Sequence, residues 1–111
     1  VTRRYLPSSL PRLAEDRVTD GPRVLDPVVA ADDGEESEYA ALMTAADASA
    51  ELVAGLPDGQ RRRVVVVAET ATEDAPVRWR DVVAVHVDTE DDADADDDLA
   101  WWATQEIGDL V

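Results

Sequence analysis

Apolar residues recur along this chain at two different spacings. Val64–Ala68 is a run of five, four of them valine. Such a β-branched run predicts a strand covered on both faces. Residues 77–88 (VRWRDVVAVHVD) alternate instead. There Val83, Val85 and Val87 fall on one face, and Ala84, His86 and Asp88 on the other. The polar link 70–76, ending in Pro76, joins the two segments and predicts an antiparallel hairpin. Upstream the spacing changes to three and four: Tyr39, Leu42, Met43, Ala46, Ala50 and Val53 predict the inward face of a long helix. A capping box at Asp33 and Glu36 would open it, and Leu56-Pro57-Asp58-Gly59 would end it.

The ends of the chain pattern more weakly. Residues 3–6 (RRYL) predict a short strand halted by Pro7. Ser8 or Ser9 would then cap a short helix with Pro11 in its first turn and Leu10, Leu13 and Ala14 inward. Residues 23–30 read as extended, and Pro27 makes them an edge or broken strand. A last helix is expected near 96–110, with Leu99, Trp102, Ala103, Ile107 and Leu110 near one face and Trp101 roughly opposite. The order β-α-β-α-β-β-α predicts an α+β fold, a small mainly antiparallel sheet with helices packed on one face, loosely ferredoxin-like. Residues 1–111 are expected to form a single domain with an acidic linker at about 89–97.

Charge changes the picture of partners. The 111 residues carry 26 acids against 10 basic residues, a net charge of −16, and every basic residue is Arg. Residues 32–58 hold eight acids, residues 89–111 hold nine, and neither block contains a base. Binding to nucleic acid through phosphates, or to an anionic membrane, is therefore not expected. With no Cys the chain is neither a disulfide scaffold, a zinc ribbon nor a thiol enzyme. Lys, Asn and Phe are also absent, beside 18 Ala, 16 Val and 17 Asp. A GC-rich genome or a salt-adapted surface would each account for part of the acidity. No stretch approaches the roughly 20 apolar residues that span a bilayer. The opening VTRRYLPSSL lacks the apolar core of a signal peptide, and Val1 reads as a literally translated GTG start. A soluble, cytoplasmic protein is expected.

Few motifs carry chemistry. Acids at 92, 94 and 96 resemble the start of a calcium loop, but its sixth and twelfth positions hold Asp97 and Ala103 where Gly and Glu are needed. The run reads better as a solvated linker whose last acids sit at a helix N-terminus. One His and no Cys leave any metal to carboxylates alone, so no metal site is expected. No phosphate-cradling glycine loop occurs, so no cofactor is expected. His86 is the only histidine. With Asp88 it is a candidate acid–base pair, with Tyr39 and Glu106 as further weak catalytic candidates. Arg61–Arg63 are expected to pair with acids of the long helix and to guard the valine strand against aggregation. Trp101 and Trp102 cannot both point into one core. Together with Gln105 they are the candidate interaction residues, because exposed Trp is enriched in interface hot spots.

Several strings together are familiar: Arg4-Tyr5-Leu6-Pro7, Glu38-Tyr39-Ala40-Ala41-Leu42, Arg62-Arg63-Val64-Val65, Val83-Ala84-Val85-His86-Val87-Asp88 and Trp101-Trp102-Ala103-Thr104-Gln105-Glu106. In this order the chain resembles a family of small acidic actinobacterial proteins of unknown function. The resemblance implies no activity, substrate or catalytic residue. The residues themselves favour a non-enzymatic interaction or regulatory module for a basic or aromatic-accepting protein partner. The alternatives are a small enzyme using His86 with Asp88, and a nucleic-acid mimic. Self-association through a strand edge or the Trp101 face is also open, and the oligomeric state is not legible.

Overall fold

The structure, a computed structural model, describes residues 1–20 and 27–111. In chain order come β1 (Thr2–Ser8), α1 (Leu10–Thr19), β2 (Val28–Val29), α2 (Glu35–Val53), β3 (Val64–Thr70), a 3-10 turn (Trp79–Asp81), β4 (Val82–Val87), β5 (Ala100–Ala103) and a 3-10 segment (Thr104–Asp109). The five strands form one antiparallel sheet in the order β2-β1-β3-β4-β5. The fold is α+β, and the order of elements follows the predicted one as far as β4.

The all-apolar β3 lies at the centre, and that position explains the layers. Val64, Val66 and Ala68 turn to one face with Leu6, Val85 and Val87, where Leu13 of α1, Val77 and Ile107 cover them. Val65 and Val67 turn to the other face with Tyr5 and Ala84, beneath Ala41, Ala45 and Ala46 of α2. A strand with no polar face needs cover on both sides. The helices accordingly divide between the two faces, α1 on one and α2 on the other, and the expected one-face arrangement is corrected. No helix among the described residues is long and apolar enough to cross a membrane.

Local chemistry places each element. Ser9 caps α1, its hydroxyl accepting from the Arg12 N–H at 3.2 Å, with Pro in the first turn as expected. β1 runs through Pro7 rather than stopping before it. Among the described residues β2 pairs only with Arg4 and Tyr5, and no described strand lies beside Pro7 on that side of β1, where a missing donor is tolerated. β2 is the expected edge strand; residues 23–26 of that segment lie outside the described residues.

Two predicted faces are rotated. In α2 the buried residues are Ala41, Ala45, Ala46, Ser49 and Val53, while Tyr39 and Ala50 are exposed. Small side chains let the helix axis approach the sheet closely, and that gain outweighs turning the largest side chains inward. Its N-cap is Gly34, and the acid that organises the entry is Asp32, which accepts from the Gly34 N–H at 2.8 Å; the Asp33 capping box does not form. In β4 the pairing slips between Val67 and Ala68, so Val82 packs inward and Val83 is pushed out. The predicted shared face of Val83, Val85 and Val87 is thereby broken by a bulge.

The last predicted helix is also corrected. Residues 100–103 add to the edge of β4 as β5, and only the short 3-10 segment follows. Trp101 and Trp102 do point to opposite sides, but because a strand alternates rather than because a helix turns.

Candidate functional site

The catalytic candidates are dispersed. Asp88 is buried and bound to Arg63: Asp88 Oδ2 accepts from the Arg63 N–H at 2.9 Å and from Nε at 2.8 Å, and Oδ1 accepts from Nη2 at 2.8 Å. The Tyr39 hydroxyl donates to Asp98 at 2.8 Å. The Glu106 carboxylate accepts from the Ala103 N–H at 2.9 Å, closing the turn into the 3-10 segment. Among the described residues no hydrogen bond or ion pair links His86 to any of these three.

His86 instead meets Trp101. The two are register partners across β4 and β5, on the face that carries α2. Since α2 lies chiefly over β2, β1 and β3, the β4–β5 part of that face stays more open. The result is a cleft of about 210 Å³ lined by Arg3, Tyr5, Val67, Val83, Ala84, His86 and Trp101. Burial lowers the His86 pKa below its ordinary value of 6.5, so the imidazole is neutral at pH 7. Burial, and then the nearby Glu38 charge, raise that of the Tyr5 phenol. Arg3 forms one wall, donating to Glu38 and to Glu69 at 2.9 Å each, so two carboxylates outweigh its single charge. Trp101 is 60% exposed beside this cleft. Trp102 is half-buried against the opposite core, and Gln105 is exposed on the 3-10 segment, so the three candidate interaction residues do not form one patch.

The acidic run is a clasped loop. Arg61 Nε donates to Asp92 at 3.0 Å and its Nη2 to Asp58 at 3.0 Å, while Asp91 accepts from the Gly59 and Arg61 N–H groups. Asp92 first, and then Asp58, raise the Arg61 pKa further. Arg63 reaches past Asp88 to the Ala95 carbonyl at 3.3 Å and the Asp97 carbonyl at 2.8 Å. Arg61 and Arg63 therefore hold the 88–98 segment rather than acids of the long helix; the segment is largely exposed, and it leads into β5 rather than into the expected helix. Glu90, Asp94 and Asp96 keep carboxylates without a hydrogen bond or ion pair among the described residues. No group of three or more His, Asp or Glu side chains among the described residues is placed to hold a metal ion.

The sequence reading missed Arg3 and Tyr5 as cleft residues. Their two-residue spacing on β1 was the available signal. It also missed Ser49, whose buried hydroxyl donates to the Ser8 carbonyl and accepts from the Val64 N–H, both at 2.8 Å, pinning α2 to the paired ends of β1 and β3.

The model of a family of unknown function, DUF6912, matches residues 2–111, and the chain belongs to that family. No curated protein and no solved structure matches it.

Proposed function

Membership in a family of unknown function transfers no activity, and we propose from the site itself that this chain is a cytoplasmic protein-interaction module that takes a basic segment of a partner protein at the Trp101 face. The observation that carries this reading is Trp101, 60% exposed on the open part of the sheet. The loop leading into its strand supplies the electrostatic complement through Glu90, Asp94 and Asp96, three exposed carboxylates not used by the fold. An exposed indole beside an open cleft is the kind of residue on which interface energy concentrates, and complementary charge steers encounter.

The test is affinity capture from the native host with the wild-type chain and with Trp101→Ala. A shared partner should bind the variant about 30-fold more weakly, the loss expected of a hot spot of about 2 kcal/mol. Equal recovery by both chains would remove Trp101 as the anchor.

A further inference from the structure

The direction of one amide fixes what β5 offers at the edge of the sheet. The Ala103 N–H donates to Glu106, and so points away from β4. Peptide groups alternate along a strand, so Trp101, two residues earlier, also turns its N–H and C=O away from β4. His86 opposite Trp101 is then a non-hydrogen-bonded pair, the kind in which facing side chains lie closest. Among the described residues no strand continues the sheet beyond β5, and the Trp101 N–H and C=O have no partner.

Exposed edges are usually blunted by Lys, Pro, a bulge or a covering element. Ala100-Trp101-Trp102-Ala103 has no charged residue or Pro, and among the described residues no strand pairs with its outer side. The charge lies at its ends. The 88–98 loop enters at Ala100, with Glu90, Asp94 and Asp96 uncommitted, and Asp109 is exposed beyond Ala103.

We propose that an extended basic segment of a partner protein adds to β5 as a sixth strand, pairing with the Trp101 N–H and C=O and laying an Arg or Lys side chain on the indole. This rests on the interaction reading above and gives it a mode. Main-chain pairing supplies affinity in strand addition, and alternate side chains supply specificity. A cation over an indole is attracted by the ring, and the carboxylates at both ends of β5 favour the same charge. A second copy of this chain is the poorer occupant, because pairing two β5 edges brings two acidic loops together on molecules of charge −16.

The probe is a ten-residue peptide of alternating Arg and Val, titrated calorimetrically at 0.5 M salt to suppress nonspecific charge attraction. Its companions are the same peptide N-methylated at four consecutive central amides, which blocks both edges, and a Glu–Val peptide. The Arg–Val peptide should bind and slow amide exchange at Trp101 at least tenfold. The N-methylated peptide should bind at least tenfold more weakly, and the Glu–Val peptide should not bind. Equal binding of the methylated peptide would overturn strand addition; if Trp101→Ala still weakened that binding, the basic-partner reading would stand. Failure of the Arg–Val peptide to bind would overturn both. A peptide-free dimer in sedimentation, dissolved by Trp101→Ala, would overturn the proposal in favour of a second copy.

Discussion

Replacing Asp88 by Asn keeps the shape of the Arg63 site and removes its counter-charge. The side chains of Arg63 and Asp88 are 4% and 2% exposed, so little solvent is available to compensate. Asp88 accepts three hydrogen bonds from Arg63, and the guanidinium gives two more to the 88–98 loop. Removing one partner of a buried pair leaves the other charge uncompensated, at a cost of about 3–5 kcal/mol. A chain of this length has a total stability of about 6–17 kcal/mol, so the substitution removes a large share of it. Urea unfolding followed by Trp fluorescence should show that loss as a lower midpoint, with a fall in Tm of roughly 10–20 °C. Arg63→Met should cost a similar amount. The double variant Arg63→Met with Asp88→Asn should cost clearly less than the sum of the two single variants, since the two side chains act as one unit. Loss of the clasp should also speed amide exchange across residues 89–98. An Asp88→Asn chain within about 1 kcal/mol of wild type, or strictly additive single variants, would refute the reasoning.

Ser49→Ala leaves the buried Val64 N–H and Ser8 C=O without the hydroxyl that serves both, and should cost about 1–3 kcal/mol in the same urea assay. The His86 pKa is lowered by burial, so below the ordinary 6.5 the unfolded chain takes up a proton that the folded chain resists. Stability should therefore fall as pH drops from about 6.5 through the folded value. His86→Gln should flatten that slope, and a difference between the two chains that stays constant from pH 7.5 to 5.5 would count against the assignment. Asp91→Ala removes the acceptor of the Gly59 and Arg61 amides, and should raise their exchange rates about tenfold with smaller changes elsewhere.

The elements most legible in the sequence were those whose signal is local. Five apolar residues at 64–68 specified a doubly covered strand, and Ser9 with Pro11 specified the start of α1. The face of α2 was misread because three- and four-residue spacing gives weight to Leu42, Met43 and Tyr39. The sheet instead selects the small residues Ala41, Ala45 and Ser49 that permit close approach. Residues 99–110 satisfied a helical spacing, but β4 offered an unpaired edge, and that tertiary opportunity overrode the local pattern. For the candidate site, the Trp pair alone made legible that one indole lies outside the core; which one is set by the alternation of β5. The Trp101 partners Arg3, Tyr5 and His86 were not legible, because β1 and β4 come together only through β3. The acidic run was legible as charge, whereas its shape depends on Arg61 and Arg63, which lie some thirty residues earlier in the chain.

The place of β1 beside the central strand has a consequence during synthesis. Along its whole length it pairs with β3, Thr2 against Thr70 and Ser8 against Val64, so β1 is completed by a strand made much later. At about 5–20 residues per second, β1 waits roughly 3–14 s for its neighbour, with Tyr5 and Leu6 uncovered. Such long-range pairing slows folding, and the waiting strand is a ready template for unintended pairing. The newborn chain is therefore most vulnerable to aggregation before β3 is made, a window that closes when β1 acquires its central neighbour.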